Sequence, residues 1–172
     1  MGRDIISLDD ITPNNIGVLQ KINEVSLPTT YSEQWYKDSL ASDQIVKLSF
    51  YSELPVGGIK AKSFNSSSTT NTYETTQQLQ IKDQIPNAVY IESLAVLEAY
   101  RGLGIGSKLL EYAIEETKKR FVHEIILHAH VENQEVISWY EKRGFMKGSI
   151  VPEYYKAQGL KNPDAVVLTL KV

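Results

Sequence analysis

Apolar residues recur along this chain in two rhythms, every second residue in short runs and every third or fourth in longer ones. Alternation marks strands with one face toward a core, and the 3.6-residue rhythm marks amphipathic helices. Ile5 to Leu8 reads as a short strand. Thr12-Pro13-Asn14 then starts a helix through Val25, with Thr12 as its cap and Pro13 in the first turn, where a missing N–H is tolerated. Leu27-Pro28-Thr29-Thr30-Tyr31 breaks that helix, because proline restricts the preceding residue as well as its own φ. Ser32 caps a second helix, Glu33 to Leu40. Ile45 to Tyr51 and Val56 to Lys62 make an antiparallel pair across Ser52-Glu53-Leu54-Pro55, and Ala88 to Val96 is a central strand.

Ile105, Leu109, Leu110, Ala113, Ile114 and Thr117 follow at helical spacing, with Lys108, Glu111, Glu115 and Lys118 on the other faces. Glu124 to Val131 is a strand, and Asn133 caps a helix ending at Gly144, using a side-chain acceptor at one end and a left-handed residue at the other. Phe145 to Val151 and Ala165 to Val172 finish as strands. The order β-α-α-β-β-β-α-β-α-β-β predicts an α+β fold, a single mixed, largely antiparallel sheet with helices on both faces. Ser63 to Gln84 is rich in Ser, Thr, Asn and Gln. It is too poor in apolar residues to pack and reads as a long hairpin loop, an insertion at about residues 63–86 within one domain spanning 1–172.

Composition narrows the class. A chain of 172 residues, 42% hydrophobic and 23% charged, is an ordinary globular domain. A net charge of −3 gives no support to nucleic-acid binding by bulk attraction. No apolar run approaches the roughly 18 residues of a membrane span, and Met1-Gly2-Arg3-Asp4 opens no secretory signal. Cysteine is absent, which excludes disulfides, thiolate nucleophiles and Cys-based zinc sites. The three histidines lack metal-ligand spacing. A cytoplasmic protein without a metal, a membrane or direct nucleic-acid contact is expected.

The richest feature is Arg101-Gly102-Leu103-Gly104-Ile105-Gly106, set between the central strand and an amphipathic helix. Strand, glycine turn and helix aim backbone N–H groups and a helix dipole at one point, a ready site for a pyrophosphate. The dinucleotide fingerprint wants Gly-x-Gly-x-x-Gly, whereas here glycines occupy alternate positions; the nucleotide-triphosphatase loop wants Gly-Lys-Ser/Thr, whereas Gly106-Ser107-Lys108 reverses the order. The pattern that fits is Arg/Gln-x-x-Gly-x-Gly/Ala, which resembles the acyl-coenzyme A loop of GNAT acetyltransferases.

The chain further resembles the N-alpha-acetyltransferase 50 family, the catalytic subunit of NatE. The resemblance rests on Thr12-Pro13-Asn14-Asn15, Leu27 to Tyr31, Tyr36-Lys37-Asp38, Pro55-Val56-Gly57-Gly58, Tyr90 to Leu94, Tyr100 with the glycine loop, Leu127-His128, Trp139 to Phe145 and Tyr154-Tyr155-Lys156. It implies acetyl-CoA-dependent acetylation of protein N-termini, favouring a retained initiator Met, by direct transfer in a ternary complex. It implies that N–H groups from Leu103 through Gly104, Ile105 and Gly106 to Ser107 hold the pyrophosphate, with Arg101 at its edge. The backbone of Leu94, Ala95 and Val96 would pair with the pantetheine arm.

The family's catalytic pair maps onto Tyr90 and His128, from two strands that such a sheet splays apart. Tyrosine, with pKa near 10, is a poor base, so His128 takes the proton and Tyr90 positions water and amine. Without the resemblance both residues read as core side chains. Tyr140 is a candidate general acid toward the coenzyme sulfur, with core packing beside Trp139 as its alternative. Tyr90, Glu92 and Leu94 share a face by alternation. Glu92 is therefore a rival base, an amine contact or a solvated strand-end acid, where relatives carry an apolar residue. His130 faces as His128 does and is an alternative; His123 is a surface residue. Leu27, Pro28, Thr29, Tyr31, Tyr154 and Tyr155 would form the peptide-binding mouth. Leu27, Thr29 and Gln158 depart from the family's more apolar residues and would weaken selection for Met. The partners implied are nascent-chain N-termini, the NatA complex through its large auxiliary subunit, and the ribosome. A lysine or small-amine acetyltransferase and a catalytically weak scaffold subunit are the two rival readings.

Overall fold

The structure is a computed structural model and describes residues 5–27, 29–64, 86–155 and 164–172. Pro28, Gln158 and residues 65–85 of the Ser/Thr-rich insertion lie outside the described residues. The elements are β1 (Ile6–Asp9), α1 (Ile16–Ser26), α2 (Glu33–Asp38), β2 (Ile45–Tyr51), β3 (Leu54–Phe64), β4 (Ala88–Val96), α3 (Ile105–Lys119), β5 (Glu124–His130), α4 (Gln134–Glu141), β6 (Met146–Val151) and β7 (Ala165–Lys171). A 3-10 turn, Glu98–Tyr100, lies between β4 and α3. The strands form one sheet in the order β1-β2-β3-β4-β5-β7-β6. The β4–β5 ladder is parallel, at Val89↔Ile125 and Tyr90↔Ile126; the β1–β2, β2–β3, β5–β7 and β6–β7 ladders are antiparallel. The element order and the mixed, largely antiparallel sheet agree with the sequence pattern.

Local chemistry explains the boundaries. Ser32 accepts from the Trp35 N–H at 3.1 Å and starts α2. Asn133 accepts from the Val136 N–H at 3.2 Å and starts α4. Gly144, at φ +100°, follows the end of α4. Thr12 is not the cap expected of it. Asn15 holds that position, but its side chain folds back, accepting from the Thr12 N–H at 2.6 Å and donating to the Asp10 carbonyl at 3.0 Å. Residues 12–15 are thereby wound into a separate turn, and α1 begins three residues later than the proline suggested. At the far end of β3, Ser63 and Phe64 belong to the strand and not to the insertion.

The described residues pack as two compact units, Met1–Lys62 with Ile91–Glu116, and Ser63–Tyr90 with Thr117–Val172. The first centres on Leu19, Ile22, Tyr36, Val46, Leu48 and Ala95, with Leu27, Tyr31 and Trp35 against them. Each large aliphatic side chain buried this way contributes about 1.5–3 kcal/mol. β3 lies so close to its neighbours that a Cβ on Gly57 would sit 2.7 Å from the Ala95 carbonyl oxygen, and one on Gly58 2.5 Å from Leu19 Cδ1. The second unit contains a smaller cluster of Phe64, Ala88, Tyr90, Ile126 and Val167.

Two glycines therefore respond oppositely to substitution. Gly17 lies in α1 with nothing within 4 Å of an added Cβ, so Gly17→Ala stabilises by about 0.5–1 kcal/mol through reduced chain entropy. Gly57→Ala forces a backbone shift and destabilises by about 1–3 kcal/mol. Urea denaturation of the two variants checks both signs.

Candidate active site

In the second unit, a hydrogen-bonded aromatic cluster is built from β4, β5 and the turn after β6. The Tyr90 hydroxyl lies 2.9 Å from His128 Nδ1 and 2.8 Å from the Tyr154 hydroxyl. The Tyr154 ring stacks on the imidazole at 4.2 Å between centroids and 8° between planes. Tyr90 meets the same imidazole edge-on and packs on Phe64. The turn that presents Tyr154 is itself constrained. Glu153 adopts φ +59°, a left-handed conformation unfavourable for a residue with a Cβ. Its N–H donates to the Asp164 carboxylate at 2.9 Å, which holds the turn.

Burial lowers the His128 pKa from 6.5 to about 4, because a low-dielectric setting disfavours the imidazolium. The ring is thus neutral at pH 7. Two proton arrangements satisfy the hydrogen bonds among the three groups. In one, Tyr154 donates to Tyr90 and Tyr90 to Nδ1, with the imidazole proton on Nε2. In the other, Nδ1–H donates to Tyr90 and Tyr90 to Tyr154, which makes Nε2 the acceptor nitrogen that a base needs. The acceptor is weak for its type. Moving a proton onto it from an α-ammonium of pKa about 7.7 would cost about 5 kcal/mol.

The other histidines and tyrosines fall outside this hydrogen-bonded cluster. His130 packs edge-on to Tyr155 at 5.6 Å, and His123 is exposed. Tyr155 is buried and stands at right angles to Tyr154, 4.9 Å away; burial, then the neighbouring Tyr154, raises its pKa. Tyr140 is buried between Trp139 and Phe145 at 4.9 and 5.1 Å. Burial raises its pKa as well, so its phenol keeps its proton. That environment is the core packing weighed as its alternative role.

In the first unit, Glu92 is neither solvated nor free. Its side chain is buried, with Oε1 at 3.1 Å from Lys62 Nζ and Oε2 at 3.1 Å from Lys60 Nζ. Trp35 Nε1 also donates to Oε1, at 3.3 Å. Lys60 lies 4.0 Å above the Trp35 ring and donates to the Trp35 carbonyl at 3.3 Å. Burial lowers the Lys60 pKa, and Glu92 offsets part of that effect. Tyr31 stacks on Trp35 at 3.8 Å, and its hydroxyl donates to the Glu92 backbone carbonyl at 2.7 Å. Leu27 and Tyr31 are packed against the core, while Thr29 is half-buried. Sequence reasoning missed the lysines and Trp35. The available signal was a pair of lysines two residues apart in an otherwise apolar strand, matched by one acid in the central strand.

The glycine loop closes the same unit. Gly102 and Gly104 adopt φ +80° and +89°, which only glycine takes without strain. Ile105, Gly106 and Ser107 form the first turn of α3, which carries no acidic residue. Nothing in that turn repels an anion at the helix N-terminus, where amides and dipole favour one. Arg101 Nε donates to the Val96 carbonyl at 2.9 Å, tying the loop to the end of β4 beyond Leu94 and Ala95. Among the described residues, no group of His, Cys, Asp or Glu is placed to hold a metal ion, and no helix is long and apolar enough to cross a membrane.

A mixed seven-stranded sheet with a glycine loop opening a helix after its central strand is the architecture of an acyl-group transferase. The chain belongs to the acetyltransferase (GNAT) family, whose sequence profile matches residues 20–145. It is 31% identical over 164 residues to N-alpha-acetyltransferase 50 of Danio rerio, covering 95% of this chain and 86% of that protein. It is 31% identical to the probable N-acetyltransferase san of Drosophila melanogaster over 98% of this chain and 82% of that one. Among solved structures, Arabidopsis thaliana Naa50 in complex with the bisubstrate analogue CoA-Ac-MVNAL superposes with a TM-score of 0.77 at 29% identity, over 96% of this chain and 97% of that one.

The buried imidazole sets a pH dependence. Between pH 6.5 and about 4 the unfolded chain binds a proton at His128 that the folded chain refuses. Stability then rises with pH across that window and falls as pH drops through it. An NMR titration of His128 with a midpoint near 4 is the expected result.

Proposed function

We propose that this chain is an acetyl-CoA-dependent N-terminal acetyltransferase acting on peptides that retain their initiator Met, with direct transfer in a ternary complex. The observation that carries the reading is the neutral, half-buried His128 held at 2.9 Å by Tyr90, in a chain with family membership and an intact glycine loop. Arabidopsis Naa50, which binds a bisubstrate analogue joining coenzyme A to a peptide, supports both halves of the assignment.

The coenzyme supplies the acetyl group as an activated thioester. Leu103 to Ser107 offer N–H groups to its pyrophosphate, and the positive φ of Gly102 and Gly104 lets the backbone approach it. Arg101 adds positive charge there while bracing β4, and the strand segment Leu94, Ala95 and Val96 accompanies the pantetheine arm. The substrate amine, with pKa about 7.7–8.0, is partly neutral at physiological pH. As its nitrogen bonds to carbon it turns acidic, and His128 then accepts the proton despite its lowered pKa. Tyr90 aligns the acceptor, and Tyr154 fixes both rings through one hydrogen bond and one stacked face. Tyr140, keeping its proton, is a donor for the leaving sulfur.

Leu27, Thr29 and Tyr31 form the wall beside the first residue of the peptide. Leu27 and Thr29 fill it less than larger apolar residues would, and an apolar contact is worth about 1–3 kcal/mol of discrimination. Met selection is correspondingly weak. The protein acts in the cytoplasm on nascent chains, docked on the NatA complex at the ribosome.

Turnover of acetyl-CoA against peptides beginning Met-Leu and Ser-Glu, and a blocked lysine peptide, decides the reading. Met-Leu is the expected substrate. A preference for the lysine peptide moves the function to side-chain acetylation, and coenzyme binding without turnover favours the scaffold. In the enzyme, His128→Ala and Tyr90→Phe each lower kcat by at least about tenfold; a loss under twofold in either removes that residue from the mechanism.

A further inference from the structure

Among the described residues, the Glu92 cluster is one carboxylate short. Two ammonium groups share a single acid in a site where the side chains of Lys60, Glu92 and Lys62 keep 2%, 8% and 14% of their exposure. Removing charge from water is costly unless it is matched. Lys60 is well matched, by Glu92 Oε2, by the Trp35 carbonyl and by the Trp35 ring, and Asp38 adds a weaker attraction. Among the described residues Lys62 meets only Glu92 Oε1, an oxygen already accepting from Trp35. An ammonium has three donors. The most exposed of the three side chains is therefore also the least satisfied, and the cluster carries its excess positive charge at its open end.

We propose that Lys62, backed by Lys60 and Glu92, is a subsite for an acidic side chain in the first residues of the substrate peptide. The proposal rests on the N-terminal acetyltransferase reading. The cluster belongs to the same unit as Leu27 and Tyr31, the proposed wall beside the first residue of the peptide. Tyr31, bonded to the Glu92 carbonyl, ties the proposed peptide wall to the same place. An apolar residue at position 92 would leave Lys60 buried without its acid, so the Glu92 carboxylate and Lys60 act as one unit that holds Lys62 in place.

The test compares isosteric peptides, Met-Glu-Glu and Met-Gln-Gln, with Met-Leu as reference. With the native chain, kcat/KM is expected to favour Met-Glu-Glu over Met-Gln-Gln by at least about fivefold, through KM, with the gap narrowing as salt rises. Lys62→Gln closes the gap and Lys62→Arg keeps it, with thermal melts confirming that both variants fold. Equal rates on the two peptides with the native chain, or a gap that survives Lys62→Gln, overturn the subsite while leaving N-terminal acetylation intact. No turnover on any of the three peptides overturns the acetyltransferase reading itself, and the subsite with it. Should Lys62→Gln fail to fold, the native chain's peptide preference and its salt dependence decide the matter.

Discussion

Much of the first unit depends on how closely β3 lies to β4. Gly57 permits it, since any larger residue would drive its Cβ into the Ala95 carbonyl. That approach brings the Val56 carbonyl to the Leu97 N–H at 2.8 Å and sets Lys60 and Lys62 beside Glu92 on the neighbouring strand. The same strand then leads through a 3-10 turn into the glycine loop, braced by Arg101 on the Val96 carbonyl. A backbone contact with no side chain of its own thus places both the charged cluster and the anion-binding helix terminus.

The second unit solves a different problem, that of keeping a base neutral without stranding it. Aromatic rings around His128 exclude water and depress its pKa, while the Tyr90 hydroxyl replaces the hydrogen bond that water would have made. A buried polar group is costly unless so partnered. The strained backbone at Glu153, held by Asp164, presents the ring that completes the cluster. Burial that makes this histidine a weaker base also keeps it unprotonated at pH 7.

The two units treat their charges in contrasting ways. His128 loses its charge on burial, whereas Lys60 keeps a carboxylate and an indole face as compensation. The difference follows from intrinsic pKa. An imidazole near 6.5 is readily left neutral at pH 7, and an ammonium near 10.4 needs a much larger shift. Lysines this deep therefore require an acid partner, and Glu92 serves two of them.

By itself the sequence determined the elements. Periodicity, the Ser32 and Asn133 caps and the glycines are local signals, and each acts over a few residues, so strand and helix order was legible throughout the described residues. The start of α1 was not, because Asn15 competes with Thr12 through a hydrogen-bonded turn whose outcome depends on geometry. Resemblance to a family singled out Tyr90, His128 and Tyr154, but the join between their hydroxyls and ring belongs to the fold, since β4, β5 and the turn after β6 are far apart in the chain. Glu92 shows the limit most clearly. In the sequence it was equally a base, a substrate contact or a solvated acid, and only packing against β3 and α2 assigned it two lysines and a tryptophan. Pairing between distant charges has no local signature; it exists only once the sheet has chosen its neighbours.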